Sequence, residues 1–380
     1  MSAVSPFFDH FYPVGLLPRL IARGTVSLID ASVAASVTAD FAYDGAEVLT
    51  DGNMEGALPG PWTGYSVPAD ATLSKEIADP HSGTQCMRIT KGIADGAGYA
   101  QQAAFTANRR YVLRGYLRSD GASIPGIYGG INDWRGVAGA GWQYAECYPN
   151  PTVGGSLPKI GGWSVPAGGY TEADTFTAVR VGNVSAVADL IPGGPGVVPK
   201  YGAGLWSPGY LPPENTFVFE YDTTYFVTTF TPAVTGTIIT WVNLQDYATA
   251  NDGELIASGA GSGVSQLKTG LRVTPAGVLT ARSGGSASDL IHPAAFTRNA
   301  WHHVAMTWAG ARMQLSLDGV TQVGANGGSP SVWPLWWGCM NAAGSKYRNF
   351  HGKSSYLLLS NREWSDGELQ AHRFETFRAA

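Results

Sequence analysis

The chain is poor in charge. Asp, Glu, Lys and Arg make up 14% of its 380 residues, where a soluble domain usually carries about a quarter. Long solvated helices need Lys and Glu along their outer faces, so few are expected. There is no basic surplus either. A net charge of −5 offers no electrostatic footprint for nucleic acid, and no nucleic-acid partner is expected. Cysteine is scarce: Cys86, Cys147 and Cys339 are far apart, odd in number and form no CxxC pair. That supports neither a disulfide framework nor a cysteine zinc site and leaves buried free thiols as the expectation. No apolar run approaches the ~18 residues of a membrane-spanning helix, so membrane insertion is not expected. The N-terminal apolar run Val14-Gly15-Leu16-Leu17 is soon broken by Pro18, Arg19 and Arg23. A secretory leader places its positive charge before the apolar core, so no signal peptide is read and the protein is expected to be made in the cytoplasm.

What the chain has instead is turn chemistry: Gly 50 and Pro 23, which suit many short strands. The most informative stretch is Trp301-His302-His303-Val304-Ala305-Met306-Thr307-Trp308, followed by Met313-Gln314-Leu315-Ser316-Leu317 and Asp318-Gly319. Met313, Leu315 and Leu317 alternate with Gln314 and Ser316, the period-2 pattern of a half-buried antiparallel strand. Asp-Gly predicts a tight hairpin turn, because both residues tolerate positive φ. This "W-H-H-V-A-x-T-W … L-x-L-x-x-D-G" run resembles the concanavalin A-like, laminin-G/pentraxin-like β-sandwich. The resemblance implies a fold used mostly to bind glycans or other proteins. Thr237–Leu244, Leu271–Thr274, Gly277–Ala281 and Ser354–Ser360 supply further strands. At the end of the chain Ser365 and Glu368 form a capping box, predicting one short helix with Leu369, Arg373 and Phe377 on one face.

An earlier segment has a second character. Asp51-Gly-Asn-Met-Glu55, then His81-Ser-Gly-Thr-Gln-Cys-Met-Arg-Ile89, then Arg110-Tyr-Val-Leu-Arg-Gly-Tyr-Leu-Arg-Ser-Asp120 resembles the jelly-roll carbohydrate-binding modules that accompany glycoside hydrolases. Similar segments occur widely in phage virion proteins. The fold class expected is all-β: two tandem β-sandwiches, a jelly roll and then a concanavalin A-like domain, with an N-terminal arm and a short C-terminal helix. The boundaries read from the sequence are an arm over 1–43, a jelly roll over 44–196, a linker over 197–204, and a lectin-like domain over 205–380. Phe7, Phe8, Phe11 and Tyr12 make the arm too apolar for a free tail. They are expected to dock either on this chain or in a neighbouring subunit.

Catalytic groups are sparse. The resemblance to concanavalin A-like hydrolases implies a Glu-x-Asp with a second Glu shortly after, whose side chains share a strand face and act as nucleophile and acid. Glu220-Tyr221-Asp222 matches the first half, but Thr223-Thr224-Tyr225-Phe226 follows, so no catalytic residue is assigned. His302 and His303 are adjacent strand residues pointing to opposite faces and cannot share one ion, so no metal site is assigned. Asn251-Asp252-Gly253-Glu254 carries oxygen ligands suited to calcium, yet the same letters describe any tight turn, and no cofactor is expected. Gly259–Gly263 lacks the Lys-Ser/Thr of a phosphate loop.

Aromatics remain, with 12 Trp and 17 Tyr. Sugars present flat C–H faces that stack on indole and phenol rings while neighbouring polar groups bond the hydroxyls. Trp134, Arg135, Trp142 and Tyr144, and Trp333, Trp336 and Trp337 in the last domain, have that mix and are the candidate glycan contacts. Trp241, Trp301 and Trp308 are expected in the core. The function expected is a non-enzymatic structural component of a phage particle, in the tail or baseplate or decorating the head. On that reading the arm binds other virion proteins, the chain forms a homo-oligomer, and the outward sandwiches adhere to host cell-surface polysaccharide. A freestanding lectin-like binder is the alternative, and a glycoside hydrolase the weaker one.

Overall fold

In a computed structural model the chain separates into two compact units, one of residues 41–182 with 246–248, the other of residues 1–40, 183–245 and 249–380. The structure describes residues 19–21, 23, 25–30, 37–40, 47–58, 60–67, 69–106, 111–128, 133–149, 157–187, 189–191, 194, 197–201, 209–211, 216–219, 224–244, 253–260, 267–274, 276–284 and 289–376. Strands dominate both units, in antiparallel sheets packed as β-sandwiches. Among the described residues no helix is long and apolar enough to cross a membrane.

The smaller unit is a sandwich of two five-stranded sheets. The first sheet runs Gln143–Cys147, Tyr111–Ser119, Tyr170–Arg180, Cys86–Thr90 and Thr72–Glu76. The second runs Thr63–Val67, Gly96–Gln101, Lys159–Val165, Ile124–Tyr128 and Trp134–Arg135. Alternation decides what each strand buries. Along Tyr111–Ser119, Leu113 and Leu117 enter the core while Arg114, Tyr116 and Arg118 face outward, half-buried. Gly115 keeps the inward slot open for Phe176, since a Cβ there would sit 2.4 Å from its ring. Met87, Ile89, Ala100, Ile127, Ile160 and Trp134 complete the core.

The larger unit contains the lectin-like strands. One of its layers runs Val320–Ala325, Arg312–Leu317, Trp301–Ala309, Thr235–Leu244, Gly352–Ser360 and Thr25–Asp30, each antiparallel to the next. The facing layer includes Val278–Ser283, Leu267–Val273, Gly253–Gly259, Trp336–Trp337 and Thr224–Thr228. Between the layers Ile238, Val304, Met306, Trp308, Leu315 and Leu357 meet Phe217, Phe226, Leu271 and Trp337. The C-terminal helix, Asp366–Glu375, then caps the other side of the first layer. Its Leu369 packs with Leu20, Leu28, Ile239, Trp241, Tyr356 and Trp364. The Ser365–Glu368 capping box forms as expected. The helix buries Leu369 and His372 rather than Leu369 with Arg373, and Phe374 is exposed.

Two features differ from the sequence reading. Gln314 and Ser316 are buried along with Met313, Leu315 and Leu317, so the strand is covered on both faces instead of one. The domain boundaries also move. Thr25–Asp30, placed in an arm, is a sheet strand whose Ile29 pairs with Leu357. Asn183–Val187 pairs with Val37–Asp40, and Val197–Tyr201, placed in a linker, pairs with Thr224–Thr228. Isolated strands cannot satisfy their backbone groups, and partners far away in sequence leave no local signature. The hairpin after Leu317 forms as expected, with φ of 52° at Asp318 and 84° at Gly319. All three cysteines are free and buried.

Candidate functional site

The outward face of the first sheet of residues 41–182 gathers two of the expected glycan contacts with residues that the sequence alone did not single out. Pairing sets Tyr144 opposite Tyr116 and Glu146 opposite Arg114, while Glu172 lies between Arg88 and Arg118 on its two neighbouring strands. The result is a band of rings. His81 stacks on Tyr116 at 3.5 Å between centroids, Tyr116 meets Tyr144 edge-on at 5.7 Å, and Trp142 meets His81 at 5.8 Å. The Arg118 guanidinium lies 4.5 Å over the Trp142 ring. His81 is exposed, and Tyr116, Trp142 and Tyr144 are half-buried. The Trp142 indole N–H finds no acceptor among the described residues.

A charge lattice stiffens this band. Glu172 is 1% exposed, and burying it alone would be costly, so its neighbours supply cations. Its Oε1 accepts from Arg88 Nε at 2.8 Å and Nη2 at 2.6 Å, and its Oε2 accepts from Arg118 Nε. Arg88 also pairs with Glu76 at 2.6 Å, and Arg118 with Asp79 at 2.7 Å. Glu146 accepts from Arg114 at 2.9 Å, from the Tyr144 hydroxyl at 2.7 Å and from the Tyr148 hydroxyl. Asp174 accepts from the Ser82 backbone N–H at 2.9 Å. Burial first, and then the neighbouring Glu172 and Asp174, push the Cys86 thiol up to about 12, so it stays a neutral thiol.

The other expected contacts fall elsewhere. Trp134 is a correction: at 3% exposed its ring belongs to the core between the sheets and is not available to a sugar. Its neighbour Arg135 is exposed on the second sheet, over Trp163. Trp337 is a second correction. It is 1% exposed and packs among Phe217, Phe219 and Phe226. Trp336 is nearly buried and stacks on Tyr225, while Trp333 is exposed beside the exposed Val332. Trp241 and Trp308 are core, and Trp301 packs at its margin. Phe7, Phe8, Phe11 and Tyr12 lie outside the described residues, as do Glu220, Tyr221 and Asp222. Asn251 and Asp252 of the calcium candidate also lie outside them, and Glu254 is fully buried in its strand.

The two adjacent histidines face opposite sides, as expected. His302 Nδ1 meets Asp318 Oδ2 at 2.6 Å and its Nε2 meets the Thr297 carbonyl at 2.8 Å. Burial pulls the His302 pKa down, but these hydrogen bonds outweigh it and the net shift is upward. His303 turns the other way, toward Trp241, with its Nε2 3.1 Å from His372 Nδ1. Among the described residues no group of three or more His, Cys, Asp or Glu is placed to hold a metal.

With this geometry in view, residues 221–370 match the Laminin_G_3 model, described as the concanavalin A-like lectin/glucanases superfamily. That part of the chain is similar to this superfamily, and its packed antiparallel layers have the β-sandwich form expected of it. Solved structures similar to the chain include the native heptameric SAP-like pentraxin of Limulus polyphemus, at 15% identity and TM-score 0.30, covering 40% of this chain and 72% of that one. The Ruminococcus gnavus IT-sialidase CBM40, bound to α2,3-sialyllactose, is similar at 16% identity and TM-score 0.33, covering 41% and 95%. The CBM22-1 xylan-binding domain of Paenibacillus barcinonensis Xyn10C is similar at 14% identity and TM-score 0.29, covering 37% and 97%. No curated protein matches the chain.

Proposed function

We propose that the chain is a non-enzymatic glycan-binding protein, and that its principal binding face is the band of His81, Tyr116, Trp142 and Tyr144. The observation that carries this reading is the placing of four rings beside guanidinium groups on one sheet face. A sugar ring gains by covering aromatic surface, and its hydroxyls gain by meeting fixed donors and acceptors. The lattice around Glu172 holds the guanidinium of Arg118 in place before any ligand arrives, which lowers the ordering cost of binding. Binding rather than hydrolysis is supported by the carboxylates of this face. Glu76, Glu146, Glu172 and Asp174 are each engaged by an arginine, a hydroxyl or a backbone N–H. A hydrolytic acid needs a proton to give, and its partner needs a free oxygen.

In its finer form the proposal places this binder on a phage particle as a homo-oligomer. There the segment with Phe7, Phe8, Phe11 and Tyr12 meets other virion proteins and the sandwiches hold host surface polysaccharide. That part rests on sequence features, and finding the chain in purified particles tests it. The binding itself is tested by calorimetry with neutral β-1,4-linked hexasaccharides of glucose, xylose and mannose. Affinity of about 1 mM, some −4 kcal/mol, is expected for the best of them. Trp142→Ala should weaken it at least tenfold. A blank panel at 10 mM ligand, or an unaffected Trp142→Ala, overturns the reading.

A further inference from the structure

The second sheet of the same sandwich turns a different surface outward, and its charges are not balanced. Tyr65 pairs with Tyr99, Tyr99 with Gly161, Gly161 with Gly126, and Gly126 with Arg135, so one row crosses the whole sheet. Lys159 and Tyr128 face each other in the next row. The Lys159 ammonium lies 4.2 Å from the Tyr65 ring centroid and 4.7 Å from that of Tyr128. Tyr128 tilts against Trp163 at 6.0 Å, and Arg135 lies 3.6 Å over the Trp163 ring. Two glycines, Gly161 and Gly126, leave the middle of the row without side chains, between Tyr99 and Arg135.

Lys159 is 3% exposed, yet its ammonium forms no ion pair with a carboxylate of the described residues. Arg135 likewise has no acidic partner among them. The contrast with the first sheet is direct: there Arg88, Arg114 and Arg118 each meet at least one carboxylate. Asp133 is the acid whose field reaches Lys159, and it opposes the downward pull of burial on the ammonium. Two aromatic quadrupoles stabilise a cation only in part. A buried cation whose counter-charge acts only from a distance is costly, and an incoming anion in direct contact lowers that cost.

We propose that this face is a second glycan site, selective for acidic saccharides whose ring carboxylate meets Lys159 and Arg135 while the ring packs on Tyr65, Tyr128 and Trp163. The inference extends glycan binding to another surface and does not require the Trp142 face to work. The experiment is calorimetric titration of the full chain with trigalacturonate and with its methyl ester, which keeps the rings and removes the charge. Trigalacturonate should bind at least tenfold more tightly than the ester, and more weakly as salt rises. Lys159→Met and Trp163→Ala should each weaken trigalacturonate binding at least tenfold. Trp142→Ala should leave it unchanged while weakening neutral-glycan binding at least tenfold. Arg135→Gln, an exposed position, gives the same reading with a weaker loss if Lys159→Met does not fold. Equal binding of acid and ester overturns the inference, as does loss of trigalacturonate binding in Trp142→Ala alone, or no binding at all.

Discussion

The buried histidine pair makes acid sensitivity of the larger unit calculable. His303 packs against Trp241 and His372, and His372 in turn meets the Tyr356 hydroxyl at 2.9 Å. Burial, with a smaller push from Arg373, lowers the His303 pKa from 6.5 to about 3 against the opposing field of Asp318. Burial also lowers His372 well below its ordinary value, and His303 and Arg23 add to the effect. A base with a depressed native pKa stays neutral when folded, while the unfolded chain takes up a proton. Stability is therefore lost as pH falls below 6.5 toward 3, at up to about 1.4 kcal/mol per pH unit for each such group. For His303 alone the loss between pH 7.5 and 4.5 is roughly 3 kcal/mol, and His372 adds to it with the same sign. His302, raised, acts above this window: its contribution is complete below 6.5 and fades as pH rises through its native value. Asp318 and Glu368, both lowered from carboxylate values, matter only below about 4.5, where their contributions are lost as they protonate. The assay is urea unfolding at pH 7.5, 6.5, 5.5 and 4.5 for the native chain and for His303→Phe. The variant should show an acid slope shallower by about 1.4 kcal/mol per pH unit below 5.5. Identical slopes in the two proteins would refute the account of His303 as a neutral buried base.

Other outcomes follow from particular contacts. Asp318→Ala removes the acceptor of both His302 Nδ1 and the His303 backbone N–H and puts Ala at positive φ, so about 2–4 kcal/mol should be lost in chemical unfolding. Asp318→Asn, which tolerates that φ, should lose less. Gly115→Ala forces a methyl into the Phe176 ring and should cost about 1–3 kcal/mol by thermal melting, with no change in charge. Removing residues 1–30 takes away Leu28 and Ile29, both fully buried, and bares the backbone of Tyr356–Ser360. The product should aggregate on gel filtration, whereas a chain starting at residue 19 should not.

Much of the fold is written in short-range pattern. Asp318-Gly319 announces its hairpin, Ser365 and Glu368 announce the helix start, and Leu113 and Leu117 announce an inward face, because each depends on neighbours a few residues away. Gln314 and Ser316 mislead, since polar residues mark solvent only when nothing covers that side, and the terminal helix does. Trp134 misleads for the related reason that an indole beside Asp and Arg reads as a surface group while its strand directs it inward. Trp142 and Tyr144 were legible as candidates, but their companions were not. His81, Arg118 and Glu172 come from three separate stretches and meet only through pairing between strands. The lone-cation character of Lys159 is invisible to composition altogether, because a lysine is distinguished there by what fails to approach it.

The order of strands in the larger unit has a bearing on biosynthesis. Its first strands, ending at Asp40, precede the whole of residues 41–182, and its next begins at Asn183. A ribosome therefore releases the opening strands long before Gly352–Ser360, the neighbour that covers Thr25–Asp30, exists. The intervening sandwich has all its own strands by residue 180 and can close first. Once closed, it tethers Asp40 and Asn183 as a finished β-module, replacing some 140 residues of loose chain with a short connection. The entropy of bringing those ends together is then largely spent before the layers of the larger unit assemble.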